Sequence, residues 1–277
     1  MITESALGTA LPIQGVSRKI TLRLRLRQAH PNKRSITVVC MNLNQRIEHW
    51  LSENKKAFRI ANRPFVTLSY AQSLDGSIAL RCDEPLALSG EQSLRLTHQL
   101  RSIHDGILVG IGTVLSDDPQ LTVRHWVGQN PQPIVLDSQL RIPAKARLCC
   151  LPDKRCWVLT TVDDKGAVIE GLDITALQGD ADGRVCLPRA LQLLWDRGIK
   201  SLMVEGGASV ISAFLSARLV DAIVLTITPQ FVGGYKAVND LEQKSRAALP
   251  TLNPFFSERL GDDLILWGNI SYGDAAA

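Results

Sequence analysis

The chain has 277 residues, 45% hydrophobic and 21% charged, which excludes wholesale disorder and supplies ample material for a packed core. No apolar run is long enough for a membrane span, and the N-terminus lacks the basic, apolar and small-residue order of a secretory signal, so the expected address is cytoplasmic. The net charge of +4 is uneven: residues 1–60 hold eleven Lys/Arg against three Asp/Glu, the remainder is mildly acidic, and no nucleic-acid motif accompanies the basic segment.

Residues 1–40 read poorly as part of a domain, because the alternation of Ile20, Leu22, Leu24 and Leu26 with arginines stands in polar, basic surroundings. A flexible arm, an organelle-targeting segment and translated sequence upstream of a true start at Met41 are the competing readings. Residues 41–62 form an N-terminal helix and lead-in, with Leu43, Ile47, Trp50 and Leu51 at helical spacing. Strand and helix patterns then alternate from Arg63 to the C-terminus, the signature of a layered α/β domain over 63–277.

Residues 65–71 read as a strand, Ser73-Leu-Asp-Gly76 as a turn, and residues 77–80 as a continuation of the same sheet. Ser89 and Gln92 have the spacing of a capping box at the start of a helix that reaches His104 through Leu94, Leu96, Leu100 and Ile103. Short apolar runs at 106–110, 134–136 and 157–160 lack alternation, as expected of strands covered on both faces. Pro188 opens a helix that Gly198 ends; a strand at 201–204, a helix at 208–217 and a strand at 222–228 follow. The segment beyond reads as a long loop before a last strand at 264–267. The six cysteines form no Cys-x-x-Cys pair and no zinc-ligand spacing, so reduced thiols and no metal site are expected.

Two segments can carry chemistry. In residues 202–214 a strand runs through Glu205-Gly206-Gly207 into a helix, a turn that aims backbone N–H groups and a helix dipole at one spot and suits a phosphate. Two glycines alone only permit a tight turn; a carboxylate at the carboxyl end of a strand, where α/β proteins bind ligands, shifts the balance toward a site. In residues 105–119 a strand enters a glycine-punctuated turn that lacks the third glycine and long helix of a dinucleotide fingerprint. Asp117 and Asp118 before Pro119 read equally as turn residues and as functional ones.

Taken in order, Pro64-Phe-Val-Thr-Leu-Ser-Tyr-Ala-Gln-Ser-Leu-Asp-Gly76, Thr97-His-x-Leu-Arg101 and the segments 105–119 and 202–214 resemble the reductase of riboflavin biosynthesis. The resemblance covers roughly residues 63–235. It implies a single three-layer α/β domain with a mostly parallel sheet, similar to dihydrofolate reductase. It also implies NADPH-dependent reduction of the ribosylamino group of a pyrimidine 5′-phosphate, in its 2,5-diamino or deaminated 5-amino form, to the ribitylamino form, and a homodimer. Residues 1–62 lack the His-x-Glu and Pro-Cys-x-x-Cys segments of the deaminase that bacteria fuse to this reductase, so a stand-alone reductase is expected. Ser69 replaces the usual lysine of bifunctional members, and Pro85-Leu-Ala87 their Ser-x-Trp, which leans toward the fungal and archaeal type.

By the same resemblance Ala71, Thr113, Asp117 and Ser138 meet the nicotinamide cofactor, and its phosphates lie on Gly206, Gly207, Ala208, Ser209, Val210, Ile211, Ser212 and Ala213. Arg101, Leu121, Arg124 and Glu205 match substrate-contacting positions; the arginines suit a phosphate and Leu121 a flat ring. Proton transfer near C1′ requires an acid, for which Asp75, Asp117 and Glu205 are the candidates. The rival expectations are an orphan reductase with another substrate and a non-catalytic nucleotide-binding protein.

Overall fold

In the computed structural model, residues 41–60, 62–163, 169–239, 241 and 248–273 are described. The readings made for residues 1–40 fall outside them. Leu43, Ile47 and Leu51 recur every fourth residue, so helix α1 (Leu43–Ala57) buries one stripe. It belongs to the compact unit Leu43–Ala277.

The unit is built on a nine-stranded sheet in the order β11-β12-β9-β1-β8-β4-β5-β6-β7. Seven strands are parallel: β1 (Phe65–Ser73), β4 (Gly106–Gly110), β5 (Gln132–Leu136), β6 (Cys156–Thr160), β7 (Leu172–Ala176), β8 (Ser201–Gly206) and β9 (Ala222–Thr228). The antiparallel hairpin of β11 (Thr251–Leu260) and β12 (Asp263–Ser271) closes one side.

Alternate residues of the central strands feed two different cores. Phe65, Met203, Ala222, Val224 and Ile265 pack with α1 and with Leu96 and Leu100 of α2 (Glu91–Ser102). Val66, Leu68, Leu202 and Val204 pack instead with Leu191 and Leu194 of α4 (Leu187–Asp196) and with Ile211 and Phe214 of α5 (Ala208–Ser216). Helices on both faces are why the parallel strands read as unbroken apolar runs. The expected three-layer α/β fold with a mostly parallel sheet is the one observed. Among the described residues no helix is long and apolar enough to cross a membrane.

Four local expectations are corrected. Residues 77–80 do not extend the main sheet; β2 (Ser77–Arg81) joins β3 (Glu84–Pro85) and β10 (Tyr235–Lys236) in a separate small sheet. Ser89 does not cap α2. Gly90 is its N-cap residue without a side-chain cap of its own, and the carboxylate of Asp263, 173 residues away, accepts from the Gly90 N–H at 2.9 Å and from the Ser93 hydroxyl. The turn after β4 is a short helix, α3 (Ile111–Asp117), ended by Asp118 in the left-handed region at φ 41°. The long loop before the last strand contains β11, and β7 was also unforeseen.

Candidate active site

The carboxyl ends of β1, β8, β4 and β5 open into a cleft of about 1540 Å³, a size that can admit two ligands side by side. Its floor is the turn from β8 into α5. Gly206 (φ 105°) and Gly207 (φ 85°) occupy backbone conformations that side-chain-bearing residues avoid. A Cβ on Gly207 would lie 3.0 Å from the Thr113 hydroxyl oxygen, which itself donates to the Gly206 carbonyl at 3.3 Å. No side chain caps α5, so N–H groups of its first turn remain for a ligand at the positive end of the helix dipole. A bare turn with uncapped amides fits the diphosphate of a nicotinamide cofactor.

Every residue carried over to that cofactor lines this cleft: Ala71, Thr113, Asp117, Ser138, Gly206, Gly207, Ala208, Ser209, Val210, Ile211, Ser212 and Ala213. Ser138 is locked in place, because its hydroxyl oxygen accepts from the Val185 N–H at 3.0 Å and its carbonyl from the Thr161 hydroxyl at 2.8 Å. Asp117 stands exposed at the end of α3, taking a hydrogen bond from the Ser116 hydroxyl.

Glu205 also lines the cleft, and both its oxygens are taken by one arginine. Arg101 Nε donates to Oε1 at 2.6 Å and Nη2 to Oε2 at 2.7 Å, while Nη1 donates to the Thr122 carbonyl at 3.0 Å. The two side chains are only 11% and 14% exposed. Burial works to lower the Arg101 pKa, but the charge of Glu205 and its hydrogen bonds outweigh burial and raise it. Arg101 is therefore committed to Glu205, not open to a phosphate.

Arg124 is exposed and its guanidinium donates only to the Thr122 hydroxyl, at 2.9 Å. Partial burial, then the charges of Arg101 and Arg147, lower its pKa. Arg147 is tied to the same loop, with its N–H on the Asp118 carboxylate at 2.8 Å. The Arg124 N–H donates to Nδ1 of buried His98 at 3.1 Å, which places the ring proton on Nε2. Burial first, then Arg101 and Arg124, push the His98 pKa down to about 4.

Residues 64–266 match the family described as the RibD C-terminal domain. The chain belongs to this family. Like several other relatives of the RibD C-terminal domain, a protein of Archaeoglobus fulgidus is named 2,5-diamino-6-ribosylamino-4(3H)-pyrimidinone 5′-phosphate reductase. It is 37% identical over 62% of this chain and 83% of its own length. One of the same name from Methanothermobacter thermautotrophicus is 36% identical over 74% of this chain and 97% of its own. The fold is similar to that of the Saccharomyces riboflavin biosynthesis reductase Rib7, with a TM-score of 0.66 and 27% identity over 81% of this chain and 99% of that one.

Besides Arg101, the candidate acid Asp75 and the carried-over Leu121 sit differently from expectation. Asp75 is outside the cleft lining and serves as a staple: its carboxylate accepts from Lys236, the Ser73 and Ser77 hydroxyls, and the Val232 and Gly233 N–H groups. Lys236 first, then Ser73 and Val232, hold its pKa below the usual carboxylate range, and its oxygens are occupied by these structural partners outside the cleft. Leu121 is 2% exposed and points into the core with Ile107 and Val109, so its side chain offers no face to a ring. Sequence reasoning missed Tyr70, Arg141 and Arg184, which line the cleft. Arg141 lay within reach, three residues past Ser138; Arg184 sits in no recognisable motif.

Proposed function

We propose that this RibD C-terminal domain protein is an NADPH-dependent reductase acting on 2,5-diamino-6-ribosylamino-4(3H)-pyrimidinone 5′-phosphate, converting the ribosylamino group to ribitylamino. The carrying observation is the juxtaposition of Arg101-held Glu205 and the uncapped start of α5 in one cleft. The names of the archaeal relatives support the same substrate.

In this reading the cofactor, when bound, supplies a hydride to C1′ of the sugar. The C1′–O4′ bond of the furanose breaks, O4′ takes a proton, and C1′ gains the hydride. Glu205, immobilised by Arg101, faces the cationic imine of the opened sugar and stabilises it electrostatically. With Asp75 outside the cleft and both Glu205 oxygens held by Arg101, Asp117 is the candidate carboxylate left for proton transfer. Arg124 and Arg147 take the substrate's 5′-phosphate, a dianion that a single guanidinium matches poorly. Holding donor and acceptor carbons together supplies about 7 to 11 kcal/mol of the barrier reduction.

The test is to mix purified protein with the pyrimidine phosphate and NADPH, follow loss of nicotinamide absorbance, and identify the ribityl product by mass spectrometry. NADPH binding without turnover of this substrate supports an orphan reductase instead, and absence of cofactor binding supports a non-catalytic protein. The same reading includes a homodimer, for which β11 offers an edge carrying Phe255 and Phe256, 61% and 43% exposed. Sedimentation as a monomer across micromolar concentrations rejects it.

A further inference from the structure

Helix α2 meets the segment that follows α3 through two side chains one turn apart. Arg101 Nη1 donates to the Thr122 carbonyl at 3.0 Å, and buried His98 accepts through Nδ1 from the Arg124 N–H at 3.1 Å. The segment is pinned at further points. Leu121 is sunk in the core, the Val123 N–H donates to Asn130 Oδ1 at 2.8 Å, and Gly128 crosses the end of α2 so closely that a Cβ on it would run into Ser102. Leu121 stands at φ 54°, in the left-handed region that residues with side chains avoid, and such a backbone persists only where its surroundings hold it.

His98 is an unusual occupant of the interior. Its Nε2–H has no hydrogen-bond partner among the described residues, and its ring meets that of His125 edge to face at 4.8 Å. A buried imidazole with one nitrogen unpaired costs stability that an apolar side chain of similar size would not. The bond that Nδ1 makes is to the backbone of Arg124, the cation that the reading above gives to the substrate's 5′-phosphate. The Arg124 guanidinium is tied to the same stretch of chain, because its Nη1 donates to the Thr122 hydroxyl at 2.9 Å.

We propose that His98 is a positioning residue for the substrate's phosphate: together with Arg101 it holds Arg124 at a fixed reach from Glu205. Helix α2 then sets the spacing between the carboxylate that faces the C1′ end of the sugar and the guanidinium that takes its 5′ end. This inference rests on the proposed function. During that reaction the furanose opens, and the carbon chain between pyrimidine and phosphate loses the ring that kept its ends apart. The protein then has to fix both ends for C1′ to stay at the hydride donor. Arg101 serves both at once by clamping Glu205 and the Thr122 carbonyl. His98 supplies the second point, which stops the loop from turning about the first. The competing reading is that His98 only fills a core position, so that its loss lowers stability and leaves phosphate recognition unchanged.

The experiment compares wild type with H98N, H98Q and H98L. Asn bears its carbonyl oxygen on Cγ, the carbon that bears Nδ1 in His, so it can still accept from the Arg124 N–H; Gln carries its oxygen one carbon further out, and Leu has none. By calorimetry without cofactor, each protein is titrated with the pyrimidine 5′-phosphate and with the same compound lacking the phosphate. We expect H98Q and H98L to weaken the phosphorylated ligand about tenfold, from a displaced charged hydrogen bond, with the dephosphorylated one held within about twofold and H98N close to wild type. In the background of Arg124→Ala, H98Q should add no further loss, as a double-mutant cycle requires of residues that act through one another. Equal losses for both ligands overturn the proposal, as do unchanged affinities in H98Q and H98L or a failure of H98N to recover binding. If H98L does not fold, the comparison of H98N with H98Q decides alone. A wild type that does not distinguish the two ligands overturns it together with the phosphate role of Arg124. Phosphate-dependent loss in a protein that reduces nothing would leave the positioning role standing and reject the reductase reading. Turnover of the pyrimidine phosphate by wild type, with H98Q indistinguishable from it, does the reverse.

Discussion

Arg101 and Glu205, 104 residues apart in the chain, meet as a two-pronged ion pair of 2.6 and 2.7 Å at the wall of the cleft. The pairing fixes the carboxylate in one orientation and leaves α2 bound to the end of β8. Replacing Arg101 with Met strands a largely buried carboxylate, and we expect a stability loss of about 3 kcal/mol in urea unfolding. Glu205→Gln keeps the shape and should lower kcat by about a hundredfold with cofactor affinity unchanged. Full activity of Glu205→Gln would remove the carboxylate from the mechanism.

Arg124 is the exposed cation next to this pair, and Arg147, in the turn at 147–150 after β5, is held against the end of α3 by the Asp118 carboxylate. Arg124→Ala should raise KM for the phosphorylated pyrimidine by a factor corresponding to about 1.5 to 3 kcal/mol, and Arg147→Ala should act in the same direction. Calorimetric affinity for NADPH should stay constant in both. Equal weakening of cofactor and substrate would show that the two anion sites are not separate.

Gly207→Val should have the opposite profile. A branched side chain at φ 85° is strained, and its Cβ begins 3.0 Å from the Thr113 hydroxyl, in the space over the α5 amides. We expect loss of measurable NADPH binding by fluorescence titration, with a circular dichroism spectrum like that of wild type. Retained binding would place the diphosphate elsewhere.

His98 makes the fold sensitive to acid. Its folded pKa of about 4 lies below the ordinary value of about 6.5, so the unfolded chain takes up the proton first as pH falls. The stabilisation is fully present above about pH 6.5 and is lost as pH falls toward 4. Protonation of Nδ1 also breaks its hydrogen bond to the Arg124 N–H. Thermal melts from pH 7 to 4 should show a fall in Tm that flattens in His98→Gln; identical slopes would assign the acid loss to other groups.

Asp263 tests the tertiary cap of α2. Asp263→Ala removes the acceptor for the Gly90 N–H and the Ser93 hydroxyl, and should cost about 1 to 2 kcal/mol in equilibrium unfolding. Ser89→Ala should cost almost nothing, because Ser89 caps nothing. A larger loss for Ser89→Ala than for Asp263→Ala would reverse this assignment.

What the sequence determined by itself is local in origin. The i, i+4 stripe of α1, the apolar runs of the covered strands and the stop at Gly198 follow from side-chain periodicity and backbone freedom within a few residues. The Glu205-Gly206-Gly207 turn was legible for the same reason, since two glycines between a strand and a helix leave few other uses. What the sequence could not disclose depends on residues far apart in the chain. The partner of Arg101 is chosen by the register of β8 beneath α2, so an arginine that read as a phosphate ligand proves to be the clamp on Glu205. Asp75, a plausible acid by motif, is consumed by Lys236 and the 232–233 backbone 157 and more residues later. β11 lies at the sheet edge with most of its residues exposed, so it carries no burial pattern to read. The cap of α2 comes from a hairpin 173 residues downstream, and the loop after β5 meets the 179–185 loop only through the hydrogen bonds of Ser138 and Thr161. Local periodicity can specify which elements form; which polar side chains are spent on structure and which are left for a ligand is decided only when those elements pack.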